Sequence, residues 1–359
     1  MRATVMRGGK LVVDTLPEPV PGPGEVLVKT LACGICGSDL HALRHADELV
    51  AAARDSGAPF SMDPGHDVVM GHEFCAEVID FGPGCQRAIA PGSRVCSMPL
   101  LPRPDGLQGV GYSNEVPGGY GELMVLSEML LLPVPEQMPT EHASLAEPMA
   151  VGLHAVERAR LAPEDVPLVI GCGPVGLSVI AALKLKGAAP VVAADFSPGR
   201  RKLAEAMGAD VVVDPASCSP YESWRAVAAP GDAAAAPTLP FLGPPLRAGV
   251  FFECVGVPGV IDQLMRGAPR GARIVVVGVC MQRDHIRPML GINKELNLQF
   301  VLGYEPHEFA GTLSDIAAER LPVQPLITGR VGVSGVAGAF EELANPERHA
   351  KILVEPWHD

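Results

Sequence analysis

The chain has 359 residues, 48 % hydrophobic and 19 % charged, too long for one ordinary core and with apolar material for two. A net charge of −13 at pH 7, with no long run of Lys or Arg, argues against nucleic acid and anionic membranes as partners. The opening MRATVMRGGK lacks the layout of a secretory leader, and no run approaches the roughly 18 apolar residues of a membrane span, so a cytoplasmic protein is expected.

Residues 1–152 are expected to form a β-rich domain. RATVM, KLVVDTL and EVLVKTLA are strand-length runs, the last two separated by PEPVPGPG. Within residues 44–65, DELVAAAR reads as a short amphipathic surface helix. From 153 to 289 strands and helices alternate: VPLVIG, a helix over 174–186, PVVAAD, a helix in SPGRRKLAEAMGA, then DVVVD. FFECVG, a helix near 260–265 and RIVVVGV continue the series, which predicts an α/β, doubly wound parallel sheet. From 290 to 359, LNLQFVLGY and KILVEP return to a strand-rich texture and are expected to rejoin the first domain. Residues 215–248, rich in Pro and Ala, do not read as a clean βα unit.

Gly171-Cys172-Gly173-Pro174-Val175-Gly176 matches G-x-G-x-x-G between a strand and a helix. The first glycine suits the tight turn, the second a close approach of pyrophosphate, and the third helix–strand packing. Asp195 ends the next strand, where a carboxylate can accept both ribose hydroxyls and repel a 2′-phosphate, so NAD is expected over NADP. Arg200 and Arg201 stand close by in sequence and weigh the other way. The candidate cofactor-binding set is Gly171, Gly173, Pro174, Val175, Gly176, Asp195 and Arg200, with Val255 of FFECVG and Gly278 of RIVVVGV.

Nine cysteines, an odd count in a long chain expected to be cytoplasmic, are not a disulfide framework, and all but Cys36 are expected to be small core hydrophobes. Cys33 and Cys36 form a C-x-x-C without a second such pair, which argues against a closed structural zinc site. His72, Glu73 and Glu147 follow instead. One thiolate, one imidazole and carboxylates suit an open catalytic metal site with a position left for substrate.

PGPGEVLVK, CGICGSDLH, GHEF, EPMAVGLHA, GCGPVG and ECVG occur in the order found in medium-chain zinc-dependent alcohol dehydrogenases, and the chain resembles that family over nearly its whole length. The resemblance is to members such as sorbitol, threonine and butanediol dehydrogenases. It implies a GroES-like catalytic domain beside a Rossmann domain, a homodimer or homotetramer, and Cys36, His72, Glu73 and Glu147 as the metal set. Whether Glu73 or Glu147 binds directly is open. VCSMPLLPRPDGLQGVGYSNEVPGGYGE has one cysteine where relatives often carry a four-cysteine zinc lobe, so one catalytic zinc and no structural zinc are expected. The separation of Cys36 from His72 is longer than the family usually shows.

By the same resemblance, zinc activates an alcohol or polyol hydroxyl and hydride passes to NAD. Ser38 is implied as the group that takes the hydroxyl proton and His41 as the base that passes it outward. Two other readings stay open: a zinc-free quinone or alkene reductase of the same superfamily, and a catalytically silent NAD(H)-binding protein.

Overall fold

The structure, a computed structural model, describes residues 1–58, 62–104, 106–229 and 246–359. It separates into two compact units, Met1–Pro148 with Pro306–Asp359, and Met149–Glu305.

In the first unit, strands Arg2–Arg7 and Lys10–Thr15 pair antiparallel, with Arg7 opposite Lys10. The intervening Gly8 and Gly9 have φ of 56° and 71°, the left-handed conformations a two-residue hairpin turn requires. The principal sheet runs in the order Ile327–Val331, Lys351–Val354, Glu25–Gly34, Glu73–Phe81, Arg94–Ser97, Leu131–Pro133, and Leu123–Ser127 also pairs with Glu25–Gly34. The C-terminal strand thus joins the sheet beside the strand that leads into the CGICGSDLH motif. Gly34 faces Glu73 on one side and Leu353 on the other.

A helix, Gly37–Ser56, follows at once. Cys36 is its N-cap, and the Asp39 carboxylate returns to accept the Cys36 N–H at 3.0 Å, one arm of a capping box. Gly57, at φ 69°, ends it, and His45 breaks the helical conformation within it. The surface helix expected at DELVAAAR is therefore the second half of a longer element that begins within CGICGSDLH. Residues 59–61, also in the 44–65 segment, lie outside the described residues. Within the 95–122 segment, Leu100–Arg103 and Gly106–Gly109 pair antiparallel.

In the second unit six parallel strands lie in the order Val211–Val213, Val192–Ala194, Val166–Ile170, Gly249–Glu253, Arg273–Val276, Asn297–Phe300. The chain builds outward from the strand at Val166, then returns to its other side, which creates a topological switch point between it and the strand at Gly249. The unit closes at Glu305 rather than near residue 290, because Asn297–Phe300 pairs in parallel with Arg273–Val276. The region 215–248 contributes a helix, Pro220–Ala228, while residues 230–245 lie outside the described residues. That helix buries Trp224, whose indole N–H donates to the Val166 carbonyl at 2.9 Å and whose ring meets Phe251 edge-on.

Gly176 marks how tightly the first strand–helix junction packs. A Cβ there would stand 1.9 Å from the Gly171 carbonyl oxygen, a backbone atom that cannot swing aside. Gly176→Ala is expected to destabilise this unit by about 1–3 kcal/mol through overpacking, read by denaturant unfolding. An unchanged midpoint would contradict this account of the junction.

Candidate active site

The second unit holds the proposed dinucleotide residues around one turn. Gly171 adopts φ 91°, and a Cβ on it would meet Val255 Cγ2 at 2.7 Å. Gly173 is the N-cap of helix Pro174–Leu185; Pro174, which has no N–H, opens the first turn, and the Val175 N–H is left unbonded within the helix. Gly278 packs so closely on the 253–256 turn that a Cβ would meet Gly256 N at 2.4 Å. Glu253, buried by the same turn, accepts the N–H groups of Val255 and Gly256 at 2.8 and 2.9 Å. Burial pushes its carboxyl pKa up, partly offset by these donors.

Asp195 follows strand Val192–Ala194, and both carboxylate oxygens are engaged. One accepts the Cys172 N–H at 2.7 Å and the other the Ser197 N–H at 2.8 Å, tying the glycine turn to the next helix start. Each oxygen keeps a second lone pair for a ligand hydroxyl. Arg201 bonds the Asp195 and Phe196 carbonyls and pairs with Asp214. Arg200 is different: its guanidinium carbon stands 3.9 Å from the Cβ position of Gly173, and its Nε is buried with no hydrogen bond among the described residues.

In the first unit Cys36, His72 and Glu73 each offer a ligand atom, all within 4.8 Å of one another. Cys36 comes from the helix N-cap, and His72 and Glu73 from the start of strand Glu73–Phe81. His72 and Glu73 are buried and Cys36 is half-buried. Glu147 lies in the first turn of helix Ala146–Ala159, buried, and outside that 4.8 Å group. Among the described residues no other such group of His, Cys, Asp and Glu forms. Ser38 and His41 both lie on the Gly37–Ser56 helix. Burial, reinforced by the charges of His45 and Arg44, lowers the His41 pKa below its ordinary 6.5, so the ring is neutral at pH 7.

Four residues that the sequence reading passed over organise this group. Asp39 is fully buried; besides the Cys36 N–H it accepts the Tyr120 hydroxyl at 2.6 Å. Burial works to raise its pKa, but the His72 ring, 3.4 Å away, and these donors hold it below the usual carboxylate range. His72 is the mirror case: burial opposes its proton, while the Asp39 charge and the Cys36 sulfur carry its pKa well above the ordinary value. Although Nδ1 is close to Asp39, the pair is not aligned for a hydrogen bond. Tyr112 reaches in from beyond the short hairpin, its ring 5.3 Å from that of His72.

Lys351, on the C-terminal strand, is the fourth. It is buried, and its ammonium donates to both Glu73 oxygens at 2.7 and 2.6 Å and to the Ile35 carbonyl at 3.0 Å. Burial lowers its pKa, but Glu73 and the Cys36 sulfur outweigh that and raise it. Gly34 makes the room, since a Cβ there would stand 2.0 Å from Glu73 Oε2. The remaining cysteine of the motif, Cys33, is buried against Gly71 and Gly119, and burial beside Asp39 and Glu73 drives its thiol pKa well up. It is a packing residue. A soft sulfur, an imidazole and a carboxylate with buried supports fit a borderline metal such as zinc.

Residues 22–136 match the alcohol dehydrogenase GroES-like domain, and residues 174–319 match the zinc-binding dehydrogenases. An (R,R)-butanediol dehydrogenase of Bacillus subtilis is 30 % identical over 354 residues, covering 96 % of each chain. The chain belongs to the medium-chain zinc alcohol dehydrogenase family. A sorbitol dehydrogenase of Gallus gallus is 29 % identical over 367 residues, covering 99 % of this chain and 96 % of that one. A structure from Sinorhizobium meliloti, described as a zinc-binding dehydrogenase bound to NADP, superposes with a TM-score of 0.79 at 27 % identity, covering 99 % of each chain. As a member of this family the protein is an oxidoreductase with a GroES-like domain and a Rossmann domain. No helix among the described residues is long and apolar enough to cross a membrane.

The Lys351–Glu73 pair gives a direct test of the buried electrostatics. Lys351→Met leaves a carboxylate buried without its cation and is expected to cost about 3–5 kcal/mol in denaturant unfolding. The double variant Lys351→Met with Glu73→Gln should recover a large part of that loss. A single variant as stable as the parent would contradict the pairing.

Proposed function

We propose that this enzyme carries one catalytic zinc and oxidises alcohols, diols or polyols with NAD⁺. The observation that carries the reading is the convergence of Cys36, His72 and Glu73 on one point, beside a helix start that presents Ser38. Cys36 and His72 would hold the metal, with Glu147 completing the set and Glu73 exchanging with it. Zinc bound there would supply a Lewis acid that lowers the pKa of the substrate hydroxyl. Ser38 Oγ accepts the proton that this hydroxyl releases, and His41, neutral at pH 7, passes it outward. The names of the butanediol and sorbitol dehydrogenase relatives favour vicinal diols and polyols.

For the cofactor, the Rossmann turn accepts the pyrophosphate at the N-terminus of helix Pro174–Leu185, and Asp195 takes the adenosine ribose hydroxyls. A second reading, NADP, draws on the unbonded Arg200 Nε beside the glycine turn and on the NADP-bound relative. We favour NAD because Asp195 puts a negative charge where a 2′-phosphate would bring another. For assembly, a cytoplasmic homodimer or homotetramer is the proposal. Its support is the exposed Met289, Ile292, Phe300 and Leu302 around the edge strand Asn297–Phe300. Light scattering that gave a monomer mass would contradict it.

A panel of primary alcohols, vicinal diols and polyols with NAD⁺ and NADP⁺, followed at the reduced-nicotinamide absorbance, tests the activity and the cofactor together. Turnover of at least one diol or polyol with NAD⁺ favoured is expected, and Asp195→Ser should narrow the preference. A parent enzyme that uses NADP⁺ as well as NAD⁺ would decide for Arg200. Ser38→Ala is expected to lose about 10²–10⁴-fold in kcat, the usual worth of a general acid–base group. His41→Ala should lose less, with partial rescue by small buffers. If Ser38→Ala kept full kcat while hydride transfer was rate-limiting, Ser38 would not be the proton acceptor.

A further inference from the structure

Tyr112 belongs to the 95–122 segment, and its hydroxyl oxygen reaches two residues of the helix start. It lies 2.9 Å from Ser38 Oγ and 3.2 Å from Asp39 Oδ1. Its ring lies over His72 with the planes tilted by 40°. Asp39 cannot follow Ser38 if that residue turns, because its other oxygen is held by the Cys36 N–H and the Tyr120 hydroxyl within the buried capping box. Tyr112 is therefore fixed at both the ring and the hydroxyl.

A serine hydroxyl free of such a contact rotates among three staggered positions, and its hydrogen and lone pairs rotate with it. Proton transfer needs one lone pair turned to the substrate hydroxyl and the hydrogen turned to the onward acceptor. We propose that Tyr112 is a positioning residue for Ser38: its one hydroxyl hydrogen is shared between Ser38 Oγ and Asp39 Oδ1, and this contact fixes which lone pair and which hydrogen of Ser38 face the two ends of the proton path. This rests on the reading of Ser38 as the proton acceptor. As the Ser38 hydrogen departs, negative charge gathers on Oγ, and the Tyr112 hydrogen bond strengthens there.

The alternative role for Tyr112 is packing on His72 alone, and Tyr112→Phe separates the two because it keeps the ring. The expected result is a fall in kcat of about 2- to 10-fold, the worth of one neutral hydrogen bond. The solvent deuterium effect on kcat should rise, with KM for the cofactor, zinc content and thermal unfolding unchanged. In a Ser38→Ala background the same change should have no further effect on kcat. A Tyr112→Phe enzyme with parental kcat, while Ser38→Ala is slow, would overturn the proposal and leave the reading of Ser38 intact. An equal fall in both backgrounds, or a loss of zinc or of thermal stability, would also overturn it, since Tyr112 would then act apart from Ser38. Parental kcat in Ser38→Ala, with hydride transfer rate-limiting, would remove the reading of Ser38 and this proposal with it.

Discussion

A single buried carboxylate, that of Asp39, ties together the parts of the metal-binding unit. It closes the capping box that begins the Gly37–Ser56 helix, and so sets the direction in which Cys36 and Ser38 leave the backbone. It accepts the Tyr120 hydroxyl, stands against the His72 ring and braces Tyr112. An ionised group so deep would be costly alone, but every close neighbour is a donor or a potential cation. The three segments it joins, at residues 36–39, 72 and 112–120, share no local sequence relation. Their common partner makes them one site.

The second constraint is charge balance. Glu73 and Asp39 bring two carboxylates close to the Cys36 sulfur, and Lys351 supplies a fixed positive charge among them. It arrives only when the C-terminal strand pairs with the strand ending at Gly34. The site therefore depends on a contact between residues near opposite ends of the chain. A lysine that claims both Glu73 oxygens also sets what Glu73 can do. To reach a metal this carboxylate must give up part of a pair that is already satisfied.

The sequence was most legible where chemistry is packed into a short motif. Gly171, Gly173 and Gly176 lie where close backbone approach demands them, and the alternation from residue 166 onward is the parallel sheet. Cys36, His72 and Glu73 could be singled out because their residue types are rare together. Asp39 carried a usable signal, an acid three positions after an N-cap, but an N-cap cysteine hides a capping box that serine or aspartate would have announced. Lys351 and Tyr112 carried none. A lysine in an apolar strand and a tyrosine in a glycine-rich loop acquire meaning only from partners hundreds or tens of residues away. In the sequence the strand at Asn297–Phe300 reads as a return to the first domain, because its exposed edge residues blur the pattern of a buried parallel strand. The helix carrying Trp224 was obscured by the Pro- and Ala-rich stretch that follows it.

The most direct test of the account is a zinc titration of the chelator-treated enzyme, following diol or polyol oxidation with NAD⁺ and bound metal together. The account predicts that activity is lost on metal removal and returns in proportion to zinc, saturating at one equivalent per chain, with Cys36→Ser failing to recover. Full activity without zinc, or recovery that needs a second tightly bound equivalent, would contradict it.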